Sequence, residues 1–142
     1  MDRVIVSRHI GAIQFITQVI LEEMNPYLVV KEFLGDVNGD SVPTQLTIGY
    51  YKQADIDELE TNSTYLTEWV TVEEVPILTQ ANKEEVQDKV VYGNLPLHLA
   101  QYTKYICAVE FEDTPPRGLE YTLEDMIFAK AKISRYTINK CQ

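Results

Sequence analysis

An α/β sandwich with a mostly parallel sheet and one β-hairpin insertion is the fold class this sequence predicts, and three observations predict it. The chain opens on an apolar β-branched run, Val4-Ile5-Val6, that passes through Ser7-Arg8-His9 into a helix-patterned stretch. A second such run, Val90-Val91-Tyr92, passes through Gly93-Asn94-Leu95-Pro96 into another. Between them, residues 27–75 read chiefly as strands separated by turn formers. Strands alternating with helices imply a parallel sheet covered by helices, whereas consecutive strands joined by a turn imply a hairpin. The 142 residues and 45% apolar fraction suit a single domain over 1–142, with the insertion at about 25–69.

Each element follows from local pattern. Arg3 to Val6 reads as a fully buried strand. Ala12, Ile13, Phe15, Ile16, Val19, Ile20 and Met24 recur at spacings of three and four, which gathers them on one helix face. Asn25-Pro26 ends that helix, because the residue before proline avoids the helical region. Tyr27 to Leu34 and Thr44 to Tyr51 read as the two strands of the hairpin, with the turn formers Gly35 to Asp40 between them. Gln53 to Glu60 is an acidic helix or loop, and Tyr65 to Val75, rich in β-branched and aromatic residues, is a further strand. Beyond Pro76, Lys83 to Lys89 is a charged surface segment and Leu97 to Thr103 a helix whose first turn suits Pro96. Tyr105 to Phe111 is the clearest later strand, followed by a rigid loop at Thr114-Pro115-Pro116-Arg117-Gly118. Thr122 and Asp125 form a capping box for a helix with apolar residues at Met126, Ile127, Ala129 and Ile133, and Tyr136 to Ile138 reads as a last strand.

Charge and cysteine usage narrow the function. A formal charge of −10 argues against long DNA or RNA as a partner, since such binding draws on many Lys and Arg contacts. A small anion needs only one local positive pocket. Cys107 falls in a buried strand and Cys141 at the chain end, so neither a disulfide nor a metal site is expected, and a reduced cytoplasmic protein without cofactor follows. No apolar run is long enough to cross a bilayer, and no export signal is expected.

The residues able to do chemistry cluster after the first strand. In an open parallel sheet, ligands settle beyond the carboxyl ends of the strands, where loop amides and the positive end of the next helix converge. There Arg8 offers a planar fork of donors, His9 a proton-transfer group near neutral pH, and Ser7 a rotatable hydroxyl. Gly11 lets the backbone approach an anion closely. The second strand-loop-helix unit brings Gly93, Asn94, Leu95 and His98 to a similar place. Asp36, Asn38 and Asp40 imitate the first ligands of a calcium loop. Ser41 replaces its turn glycine and Thr47 its bidentate glutamate, so a plain turn is expected. Asp55, Asp57, Glu58 and Glu60 read as a solvated acidic face.

Three stretches taken together resemble a known family. S-R-H-I-G-A at 7 to 12, Q-D-K-V-V-Y-G-N-L-P-L-H-L-A at 87 to 100 and Y-I-C-A-V-E-F-E-D-T-P-P-R-G-L-E-Y-T-L-E-D-M at 105 to 126 are similar, in order and spacing, to the small CRISPR-associated proteins of type III loci, of the ring-nuclease kind. Departures are Ile10 for a proline, Asn94 for a threonine and His98 for an asparagine, and residues 25–69 have no clear counterpart. The resemblance implies a Rossmann-like, three-layer domain acting as a homodimer. It also implies that the protein linearises cyclic oligoadenylate, cyclic tetra-adenylate in the first instance, and so switches off antiviral signalling. On that reading Arg8, His9 and His98 are the catalytic candidates, with His98 drawn from its own loop or from the dimer mate. Ser7, Ile10, Gly11, Gly93, Asn94 and Leu95 are the ligand contacts. A non-catalytic binder would use the same residue types. An Arg-His pair shortly before a glycine also resembles the histidine phosphatases, although Ile10 separates His9 from Gly11 and no Arg-rich pocket is evident. The hairpin, with Tyr50, Tyr51 and Trp69, is expected to lid the pocket or extend the dimer interface.

Overall fold

A computed structural model describes residues 2–25, 27–34, 43–53, 67–112 and 122–141. The turn at 35–40, the acidic cluster at 55–60 and the Pro- and Arg-containing loop at 114–118 lie outside the described residues. The elements are β1 (Arg3–Val6), α1 (Ile10–Met24), β2 (Val29–Leu34), β3 (Gln45–Gln53), β4 (Thr67–Leu78), α2 (Lys83–Val86), β5 (Val90–Gly93), α3 (Leu97–Ala100), β6 (Tyr105–Phe111), α4 (Leu123–Phe128) and β7 (Ala131–Tyr136).

All seven strands join one sheet in the order β2-β3-β4-β1-β5-β6-β7. The class is α/β as expected, but the sheet is not mostly parallel. β4, β1, β5 and β6 form a parallel centre, while β2, β3 and β7 pair antiparallel. The antiparallel ladders are the longer ones: β3 and β4 share nine paired positions, β1 and β5 four. The reason lies in β4. Rather than stopping at Pro76, it continues to Leu78, so the same strand pairs antiparallel with β3 and then parallel with β1. Pro76 is tolerated because β4 meets β1 only from Ile77 onward, leaving a free side for the missing N–H. The hairpin is therefore built into the main sheet.

Strand alternation divides the core. Ile5, Ile77, Val90, Tyr92 and Cys107 face α1, where they bury Ile13, Ile16 and Ile20. Val4, Val6 and Val91 face the other way and pack with Val86 of α2 and with Leu95 and Leu99 around α3. Helices thus cover both faces of the parallel centre. Asn82 and Glu85 cap α2 reciprocally, as Thr122 and Asp125 cap α4. α4 is shorter than expected: Lys130 takes a left-handed backbone (φ 58°) and turns the chain into β7, which claims Ile133.

Under the last turn of α1, the Tyr92 hydroxyl donates to Glu23 (2.6 Å), and Arg135 donates to the same carboxylate (3.1 Å). Burial, reinforced by the Glu23 carboxylate, raises the Tyr92 phenol above its ordinary value, and burial pushes the Cys107 thiol up. Both groups are held neutral by folding, so their contribution to stability is complete below the ordinary thiol and phenol values and is lost as pH rises beyond them. Melting temperature is therefore expected to fall steeply above about pH 10. Tyr92→Phe should lessen that fall while lowering stability at pH 7 by about 1–2 kcal/mol through the lost hydrogen bond. Thermal melts at pH 7 and 11 check both.

Candidate functional site

The connections between strands create a crevice. The loop after β1 leads to α1 on one face, whereas the loops after its neighbours β4 and β5 lead to α2 and α3 on the other. Where neighbouring connections part in this way, the carboxyl ends of the strands leave room for a ligand. A cleft of about 340 Å³ opens there.

Its rim is polar. Ser7, Arg8 and His9 come from the β1 loop, Thr79 from the β4 loop, and Gly93 and Asn94 from the end of β5. Arg8 donates from Nε to the Thr79 carbonyl (3.3 Å), which holds the guanidinium beside the β4 loop. The Nη fork has no protein partner among the described residues. Ser7 donates its amide to the Leu78 carbonyl (2.9 Å), and its Oγ accepts from the His9 amide (3.1 Å). The serine thereby sets the backbone from which His9 projects. His9 is the N-cap of α1, with an exposed imidazole and no side-chain cap bond, and no acidic residue lies in the first turn. The first turn of a 15-residue helix therefore stands beside the cleft, which His9 and Ala12 line, without a carboxylate of its own to satisfy its amides.

The other half is apolar. Val6 of β1, Ala12 and Ile16 of α1, Val109 and Phe111 of β6, and Met126 of α4 complete the lining. Although the chain carries 22 Asp and Glu, no acidic side chain lines this cleft among the described residues. The open groove at the opposite end of β1, by contrast, carries Asp2, Glu73 and Glu74.

Of the nine residues expected from sequence, the structure brings together Ser7, Arg8, His9, Gly93 and Asn94. Ile10 is largely turned outward and Gly11 is buried within α1, so neither lines the cleft. Leu95 packs with Val4 and Val6 on the far face of the sheet. His98 is exposed on α3, which covers that same far face, and it does not line the cleft of its own chain. Thr79, Val109, Phe111 and Met126 were missed, because only strand order brings them alongside β1. The described parts of β2 and β3 do not reach the cleft, so the expected lid is not seen in them. Tyr51 and Trp69 instead meet edge to face across β3 and β4, 4.8 Å between centroids.

Among the described residues no three His, Cys, Asp or Glu side chains come together as metal ligands, and no helix is long and apolar enough to cross a membrane. Compared with protein-family models, with curated proteins and with solved structures, the chain has no significant match.

Proposed function

We propose that this protein is a ring nuclease of the type III CRISPR kind, which binds cyclic oligoadenylate and opens it without a metal ion. The observation that carries the reading is a charge contrast. In a strongly acidic chain, one cleft joins an arginine fork, an imidazole and a helix N-terminus with no carboxylate among its described lining. That combination suits a phosphate. The three-part sequence resemblance supplies the kind of phosphate ligand, and the parallel centre with helices on both faces supports a Rossmann-like reading.

In the proposed step a ribose 2′-oxygen bonds the adjoining phosphorus as the P–O5′ bond breaks. The 2′ proton passes to solvent and the 5′-oxygen takes one, leaving a 2′,3′-cyclic phosphate and a 5′-hydroxyl. Arg8 and the first amides of α1 stabilise the charge that grows on the phosphate, Asn94 orients it, and His9 protonates the leaving 5′-oxygen. A cleft of about 340 Å³ suits one nucleotide rather than four. The ring is therefore shared between the clefts of two copies, and the reading includes a homodimer acting in the cytoplasm.

Incubation with cyclic tetra-adenylate and excess chelator should give linear products ending in a 2′,3′-cyclic phosphate. A ring bound tightly but left intact would assign the protein to the binders instead. Because His98 stands outside the cleft of its own chain, His98→Ala is expected to keep the cleavage rate within about threefold of the parent, measured in the same assay.

A further inference from the structure

We infer that a second copy of this chain docks on the cleft end of the sheet, with Phe128 as its main anchor. The inference rests on the reading of a ring shared between two clefts and adds the surface through which the copies meet. Exposed apolar side chains gather at that end from three helices. Ile10 opens α1 four residues after β1 ends, and Leu97 opens α3 four residues after β5 ends. Ile127 and Phe128 close α4 just before Ala131 of β7 pairs with Phe111, the last residue of β6. Every exposed Leu, Ile or Phe side chain among the described residues is one of these four, whereas the large apolar residues exposed elsewhere are Tyr and Val. Phe128 is 89% exposed and Leu97 72%. Single exposed residues of this kind are ordinary, but four around one cleft mark an interaction surface.

Charge selects the occupant. Each copy carries −10, so two copies repel one another wherever their carboxylates face. Residues 7–10, 79–82 and 94–98, in the connections at the cleft end, include Arg8, His9 and His98 and no Asp or Glu. Glu112 follows β6 directly, and Glu124 and Asp125 lie in the first turn of α4, where Asp125 is engaged in the cap. A basic partner would be drawn instead to the groove at the opposite end of β1, which Asp2, Glu73 and Glu74 line. A specific interface usually buries about 800 Å² per copy, an area that must draw on several elements, and the three helices supply them. A two-fold contact uses the same patch on both copies, so it sets the two clefts facing one another. Each cleft of about 340 Å³ then gains the facing half that a ring requires.

Sedimentation equilibrium of the full chain, with and without cyclic tetra-adenylate, should show a dimer. Phe128→Asp and Leu97→Asp should each raise its dissociation constant at least about thirtyfold, since both copies lose an apolar contact and gain a charge in it. Phe128→Leu keeps the contact apolar and should stay within about tenfold of the parent, which guards against a folding defect. Tyr27→Asp, at a residue 83% exposed beyond the other end of α1, should stay within about threefold. A parent that is monomeric in both conditions would overturn the docking surface. So would a dimer that Phe128→Asp leaves intact, or that Tyr27→Asp weakens as much. A ring bound by one chain alone would also overturn it and leave the phosphate reading standing. A dimer that Phe128→Asp weakens but that binds no ring would uphold the surface and overturn the ring reading.

Discussion

Replacing His9 with alanine is expected to slow ring opening by about 10²–10⁴-fold while leaving the affinity for the ring within about threefold. The asymmetry follows from position. His9 is exposed at the mouth of the cleft and bonds the rest of the protein through its backbone, so truncating the imidazole removes a proton donor without disturbing Ser7 or the start of α1. Arg8→Ala should behave differently, with affinity and rate falling together, because the fork held beside Thr79 meets the phosphate before and during the reaction. Arg8→Lys should recover little, since an ammonium offers a point charge in place of paired planar donors. Single-turnover cleavage of cyclic tetra-adenylate, with affinity measured separately, resolves these patterns. Unchanged cleavage by the His9 variant would remove the proton-transfer role.

The largest stability effect is expected at Gly93. Its backbone lies at φ 117°, where side-chain-bearing residues are strained, and a Cβ there would stand 2.1 Å from the Val6 carbonyl oxygen. Val6 and Gly93 are register partners at the ends of β1 and β5, so the clash falls between two backbones and no rotamer relieves it. Gly93→Ala should cost about 3–5 kcal/mol, enough to lower the melting temperature by roughly 10–20 °C. Relief by separating the strand ends would also move Ser7 and Asn94 apart, so ligand binding should weaken even where folding survives. Calorimetric melting of the variant against the parent gives the comparison.

Much of this arrangement was legible in the residues. The run Val4-Ile5-Val6 ending at Ser7, the three-four spacing from Ile13 to Met24 and the stop at Asn25 specify β1 and α1 by local chemistry alone, and β5 and β6 are as plain. The polar half of the cleft follows from them, because it is built from what comes directly after β1 and β5. What was not legible depends on neighbours distant in sequence. Nothing local announces that β4 passes Pro76 to pair with β1, and without that pairing Thr79 has no reason to meet Arg8. The end of α4 at Lys130 lacks the glycine that usually marks such a turn, so Ile133 read as helix rather than strand. A signal was present for His98. Leu99, packed against Val4 and Val6 beside Leu95 of the preceding loop, and the buried Ala100 fix the inner side of α3, and His98 falls off it.

The proposed reaction depends first on binding of a single phosphate group at the end of β1. Titrating the ¹⁵N-labelled chain with inorganic phosphate and then with cyclic tetra-adenylate, at low salt and neutral pH, measures it residue by residue. Amide shifts centred on 7–12, with Thr79, Gly93 and Asn94 following and the Arg8→Ala variant silent, are the predicted result. Shifts confined to the groove at the opposite end of β1, or persisting undiminished in the Arg8 variant, would contradict it.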